Sequence, residues 1–217
     1  MKITFAYDLE KDLENFIKSA HTVNNKSPTK LQRLYFEKYG QNPVHAHGQA
    51  FIEEYLFKNG INIPKKLEGI EAAWRAVEGR ALARMERMFD FVYPNHEITV
   101  YLSTNSRCRF NIQENYFFVH IESPYTNGII VHELFHFFTS QVYKRDLEIN
   151  GISTQEYKNI MESLTELINV EFKDLVGGYI DYGYPQHAHL RETVKDEWNY
   201  HKNLNRAVQC LKNCVSK

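Results

Sequence analysis

The chain has 217 residues, enough for one domain with a full core or two small ones. Its 43% hydrophobic and 24% charged content is that of a soluble globular protein and excludes wholesale disorder. A formal net charge of −1 leaves no electrostatic footprint for nucleic acid, and no run approaches the roughly 18–20 apolar residues of a membrane span. Asp8, Glu10, Asp12 and Glu14 stand where a leader sequence would need an apolar stretch. Three cysteines, an odd number, suit reduced thiols, so a cytoplasmic protein is expected.

In chain order, residues 1–95 read as a mostly helical N-terminal region. Leu9–Ser19, Pro28–Tyr39 and His47–Asn59 mix apolar and charged positions at helical spacing. Asn59-Gly60 and Pro64 interrupt the pattern, and a long helix is expected from Leu67 to about Phe91. "EITVYLST" (97–104) is rich in β-branched and aromatic residues, as a strand should be. Cys108–Ile112 and Tyr116–Ile121 read as two further strands turning at Gln113-Glu114-Asn115. A helix from Asn127 to Tyr143 completes a second segment, 96–150. The third, 151–217, opens with a cap at Ser153 and a helix Gln155–Leu175 ended by Gly177-Gly178. A loop and a final helix Glu192–Val215 follow. The expected fold is α+β: N-terminal helices, a small and mostly antiparallel sheet, then helices, all in one compact unit.

The chemistry is concentrated in "GIIVHELFHFFTSQVY" (128–143). On a helix, residues four apart share a face with Cβ atoms about 5–6 Å apart, so His132 and His136 can offer two imidazoles to one ion. Glu133 is turned about 100° from His132, where it flanks a metal instead of ligating it and can serve as a general base. Two imidazoles and a carboxylate among Phe, Ile and Leu carry a desolvation cost that a zinc ion would offset. A catalytic zinc needs a third protein ligand. "NIMESLTELINVEF" supplies Glu162 as that ligand. Glu166, one turn on, is expected to accept a hydrogen bond from a ligand histidine, and Glu171 is the reserve candidate. His45 and His47, two apart, share a face only on a strand and read as surface or cleft polar residues. Cys210 and Cys214 read as two small buried residues.

These motifs resemble those of the gluzincin metallopeptidases, the thermolysin-like group. "IIVHELFHFFTS" is similar to that family's active-site helix, and "ESLTE" to its glutamate motif. The resemblance covers roughly residues 97–175. The glycine-rich Met-Glu-Asn motif of the related aminopeptidases is absent, so the subfamily is open. The resemblance implies a zincin-like fold in which a peptide substrate adds a strand at the sheet edge, in or near Cys108–Ile112 or Tyr116–His120. A zinc-dependent metallopeptidase is therefore expected, hydrolysing peptide bonds through a zinc-bound water with Glu133 as general base. The donor to the developing oxyanion is expected after the glutamate helix, with Tyr184 and His187 the leading candidates among Tyr179, Tyr182, His189 and Arg191. The alternative is a non-catalytic zinc protein. Oligomeric state and cleavage preference have no signature in the sequence.

Overall fold

The structure is a computed structural model that describes residues 1–21, 27–94 and 96–215. It is α+β, with a four-stranded mixed sheet and ten α-helices among the described residues. By compactness the chain falls into two units, each assembled from two stretches of sequence: 1–74 with 95–126, and 75–94 with 127–217.

The first unit holds the sheet. Strand β1 (Lys2–Ala6) is followed by α1 (Leu9–His21), α2 (Lys30–Tyr39), α3 (His45–Lys58) and α4 (Ile63–Arg75), then β2 (Glu97–Ser103), β3 (Phe110–Asn111) and β4 (Tyr116–His120). The sheet order is β1-β2-β4-β3. β1 pairs with β2 and β2 with β4 in parallel, and only the β3–β4 pair is antiparallel. The expected mostly antiparallel sheet is thus corrected to a mostly parallel one. The causes are two: β2 pairs with β4 instead of β3, and β1 is a strand in "KITFA" that the helical reading of residues 1–95 passed over. It enters at one edge, and its parallel pairing with β2 needs a helical crossover, which the intervening helices supply. β4 is interior to the sheet, so of the two stretches expected at its edge only the short β3 lies there.

The two buried layers of this unit form by ordinary periodicity. Ile98, Val100 and Leu102 alternate inward along β2 and are fully buried. Phe16, Tyr35, Phe51 and Ile52 close the helical side, with Phe16 edge-on to Tyr35 at 5.6 Å. His47 stacks on Tyr39 at 5.1 Å and is exposed, as is His45, in keeping with surface roles for both.

Where β2 ends, Asp12 of α1 is completely buried and accepts hydrogen bonds from the Ser103 hydroxyl (2.6 Å), the Thr104 amide (2.9 Å) and the Thr104 hydroxyl (2.8 Å). Burial pushes its carboxyl up to about 6, although these hydrogen bonds pull the other way. A group whose folded value lies above its ordinary 3.8 stabilises the fold when protonated, and that stability is lost as the pH rises from about 4 to about 6. We expect Asp12 to contribute up to about 3 kcal/mol of such dependence. Asp12→Asn should remove it, seen as a smaller difference in urea-unfolding free energy between pH 4 and pH 7 than in the wild type. Equal differences in the two proteins would contradict the assignment.

The second unit is helical: α5 (Glu78–Phe89), α6 (Thr126–Ile149), α7 (Thr154–Leu164), α8 (Glu166–Glu171), α9 (Ala188–His201) and α10 (Leu204–Val215), with a short 3-10 turn at Pro185–His187. Three expected single helices are broken in two. The stretch expected from Leu67 to Phe91 divides at residues 76–77, beside the boundary between the units, where Val77 takes φ −120° and ψ −16°. Gln155–Leu175 divides at Thr165, and α8 stops at Glu171, earlier than expected. Glu192–Val215 begins instead at Ala188 and divides after His201, where Lys202 adopts a left-handed φ of 48°. No proline or glycine marks these three internal breaks.

From Gly128 to Thr139, helix α6 is buried almost all round. Ile130, Val131, Leu134, Phe135, Phe137 and Phe138 are all fully buried. Phe135 lies edge-on to Phe89 of α5 at 5.4 Å and to Phe172 at 5.6 Å. Each aromatic pair of this kind contributes about 0.5–1.5 kcal/mol beyond its buried area. Any polar side chain on this helix therefore sits in a surround that demands a partner. Among the described residues no helix is long and apolar enough to cross a membrane. Cys210 and Cys214, expected to be buried, are half-exposed and unbridged.

Candidate metal centre

α6 brings His132 and His136 onto one face, one turn apart. Their Nε2 atoms face each other at 3.0 Å, and Glu162 Oε1 of α7 lies 3.8 Å from His136 Nε2. One ligand atom from each of the three residues falls within 4.8 Å of the others, the one such group among the described residues. A tetrahedral zinc with its usual bond lengths holds ligand atoms about 3.3 Å apart, a value the two measured separations bracket. The donor set, two imidazoles and a carboxylate, is one that zinc accepts.

Glu162 reaches this position because of how α7 begins and ends. Ser153 opens the helix with a reciprocal capping box: its hydroxyl accepts from the Glu156 amide, and its own amide donates to Glu156 Oε2 at 2.7 Å. At the other end, the Thr165 hydroxyl donates to the Glu162 carbonyl at 2.7 Å and stops the helix one turn after Glu162. Arg191 of α9 completes this end. Its Nη1 donates to Thr165 Oγ1 at 2.9 Å and to the Glu162 carbonyl at 3.3 Å, a cation placed where the helix dipole favours one.

The carboxylate that meets a histidine of this group is Asp181, not Glu166. His132 Nδ1 is 2.6 Å from Asp181 Oδ2, which fixes the Nδ1–H tautomer and aims the Nε2 lone pair at the ligand cluster. Glu166 instead pairs with Arg191 Nη2 at 2.8 Å and accepts from Asn169 at 3.3 Å. The reason is the break at Thr165, which starts a new helix at Glu166 and turns its side chain toward α9. Glu171, the reserve ligand, is taken by the Trp198 indole N–H (2.7 Å) and Lys202 (3.1 Å).

Asp181 is held from every side. Asn169 clasps its backbone, accepting from the Asp181 amide and donating to its carbonyl, both at 2.8 Å. Arg191 Nη2 donates to the same carbonyl at 2.6 Å, and the Gly183 amide donates to Asp181 Oδ1 at 2.9 Å. Gly183 has φ +60°, and a Cβ there would come within 2.8 Å of the Arg191 guanidinium carbon. Glycine is required on both counts. Gly128, one turn before His132, is constrained by space alone: a Cβ would lie 2.1 Å from the Tyr179 ring.

The electrostatics follow from burial and from these pairings. Burial opposes charge on His132, but the Asp181 hydrogen bond and charge outweigh it and raise the imidazole to about 9. His136, buried beside that cation, is held well below the usual histidine value. A metal ion at this cluster would compete with protons for the two Nε2 atoms. Glu133 is 5% exposed, and its Oε2 is buried with no hydrogen-bond partner. Burial pushes this carboxyl up to about 8; Glu162 and Asp181 add to the effect, and His132 opposes it.

Tyr184 and His187 pack against each other, ring centroids 5.6 Å apart, on the turn before α9. His187 is buried, and its Nε2 pairs with Asn159 Oδ1 of α7 at 3.1 Å; it is not part of the three-ligand group. The residue that sequence reasoning missed is Asp181. An acidic residue inside the aromatic run "YIDYGY" was its only signal. Compared with known proteins, the chain matches no family model, and no curated protein or solved structure matches it.

Proposed function

We propose that the protein is a zinc-dependent peptide hydrolase in which His132, His136 and Glu162 hold the metal and Glu133 is the general base, in the manner of the gluzincins that its motifs resemble. The observation that carries this reading is the convergence of three ligand atoms beside a buried carboxylate oxygen, Glu133 Oε2, that has no partner. In a purely structural zinc site that carboxylate would be idle. A bound zinc supplies a Lewis acid for the scissile carbonyl and acidifies a coordinated water.

The remaining work falls to the chain itself. Asp181 keeps His132 in the ligating tautomer, and Arg191 keeps Asp181 and the end of α7 in place. A cation held by these residues would favour the ionised form of Glu133, the form that accepts a proton. Glu133 Oε2 then takes a proton from the attacking water and hands it to the leaving amine. Tyr184 and His187 are the groups we assign to the oxyanion.

The test is incubation of the zinc-loaded protein with a mixed peptide library, with and without a chelator. Cleavage that stops on chelation and returns with added zinc is expected. A zinc-loaded protein that leaves every peptide intact would overturn the reading.

A further inference from the structure

The second unit holds a cavity of about 700 Å³ bounded by α8, the turn at residues 178–180 and α9. Its size falls within the range of small-molecule sites. None of His132, Glu133, His136 and Glu162 lines it, so it is distinct from the metal centre. Two cations stand on its wall, Lys173 and Lys195, and neither forms a salt bridge among the described residues. The one carboxylate in the lining, Glu166, is already neutralised by Arg191 at 2.8 Å. Tyr179 and Ile180 give the wall an apolar part, with Ile180 54% exposed although it adjoins the buried Asp181. Loop residues are free to turn inward unless their neighbours are fixed; here the clasp on Asp181 fixes the backbone and leaves Ile180 facing out.

We propose that this cavity binds a carboxylate carried on an apolar body, its charge met by Lys173 and Lys195 and its body by Tyr179 and Ile180. Two uncompensated cations beside apolar surface suit an anion with a hydrophobic tail better than a neutral or cationic ligand. The ligand would also be felt at the metal centre. Asn169 and Glu166, both in the lining, are the side chains that hold Asp181 and Arg191, and Asp181 orients His132. The binding claim itself does not rest on the peptide-hydrolase reading. Two sources share this chemistry, a free small acid and the C-terminal residue of a peptide.

The experiment is calorimetric titration of the full chain, kept metal-free so that hydrolysis plays no part. The probes are 4-phenylbutyrate, its neutral amide, and an N-acetylated tripeptide ending in a free phenylalanine carboxylate. Binding of at least one acid is expected, with the amide about tenfold weaker and a similar loss in the Lys173→Gln/Lys195→Gln double variant. The tighter of the two acids identifies the source. Equal binding of acid and amide, undiminished binding in the double variant, or no binding of either acid would each overturn the proposal. The two lysines are exposed, so the double variant should fold as the wild type does.

Discussion

Glu133→Gln should lower peptide turnover by about 10²–10⁴-fold, the usual worth of a positioned acid–base group, while leaving the metal content unchanged. Glutamine keeps the size of the side chain and its place beside the ligands, but it cannot accept the proton. Glu133 is not one of the converging ligand atoms, so the metal should stay. The substitution also removes a buried carboxyl whose ionisation burial opposes, so the variant should be no less stable than the wild type. Peptide-cleavage kinetics and zinc analysis on the same preparation check both halves. Full activity in the variant would remove Glu133 from the mechanism; loss of the metal would make it structural.

The second large effect is expected away from the reacting atoms. Arg191→Met should destabilise the protein by about 3–5 kcal/mol, the cost of breaking a buried charge pair by deleting one partner. Arg191 is 5% exposed and serves Glu166, the Asp181 carbonyl, Thr165 and the end of α7 together. Methionine fills similar volume, so the effect isolates the charge and its hydrogen bonds. Asp181 would retain His132 and the Gly183 amide, whereas Glu166 would keep, among the described residues, Asn169 alone. Denaturant unfolding of the metal-free protein is the measurement. A loss below about 1 kcal/mol would mean that the network is solvated and does little to hold the centre.

What could be read from the sequence was what local spacing determines. The α6 histidines, the flanking Glu133 and the Ser153 cap all follow from offsets of three or four residues, and Glu162 followed from looking one helix further. The strands at 97–103 and 116–120 declared themselves through β-branched and aromatic content. The misses have a common cause. β1 is five residues long with one buried side chain, Ile3, and it is a strand because β2 lies beside it. The break at Thr165 carries no proline or glycine and is fixed by Arg191, 26 residues on. Asp181 took the role assigned to Glu166 because it reaches His132 from 49 residues away, a separation no helical period can signal. Local spacing brought out the three converging residues, but the groups that hold them are set by tertiary contact.

Elemental analysis of the purified wild type beside Glu162→Ala, each dialysed after exposure to zinc, reads whether His132, His136 and Glu162 hold one zinc ion. About one zinc per chain is expected in the wild type and far less in the variant. No zinc in the wild type after reconstitution, or equal zinc in both proteins, would contradict zinc binding by these three residues.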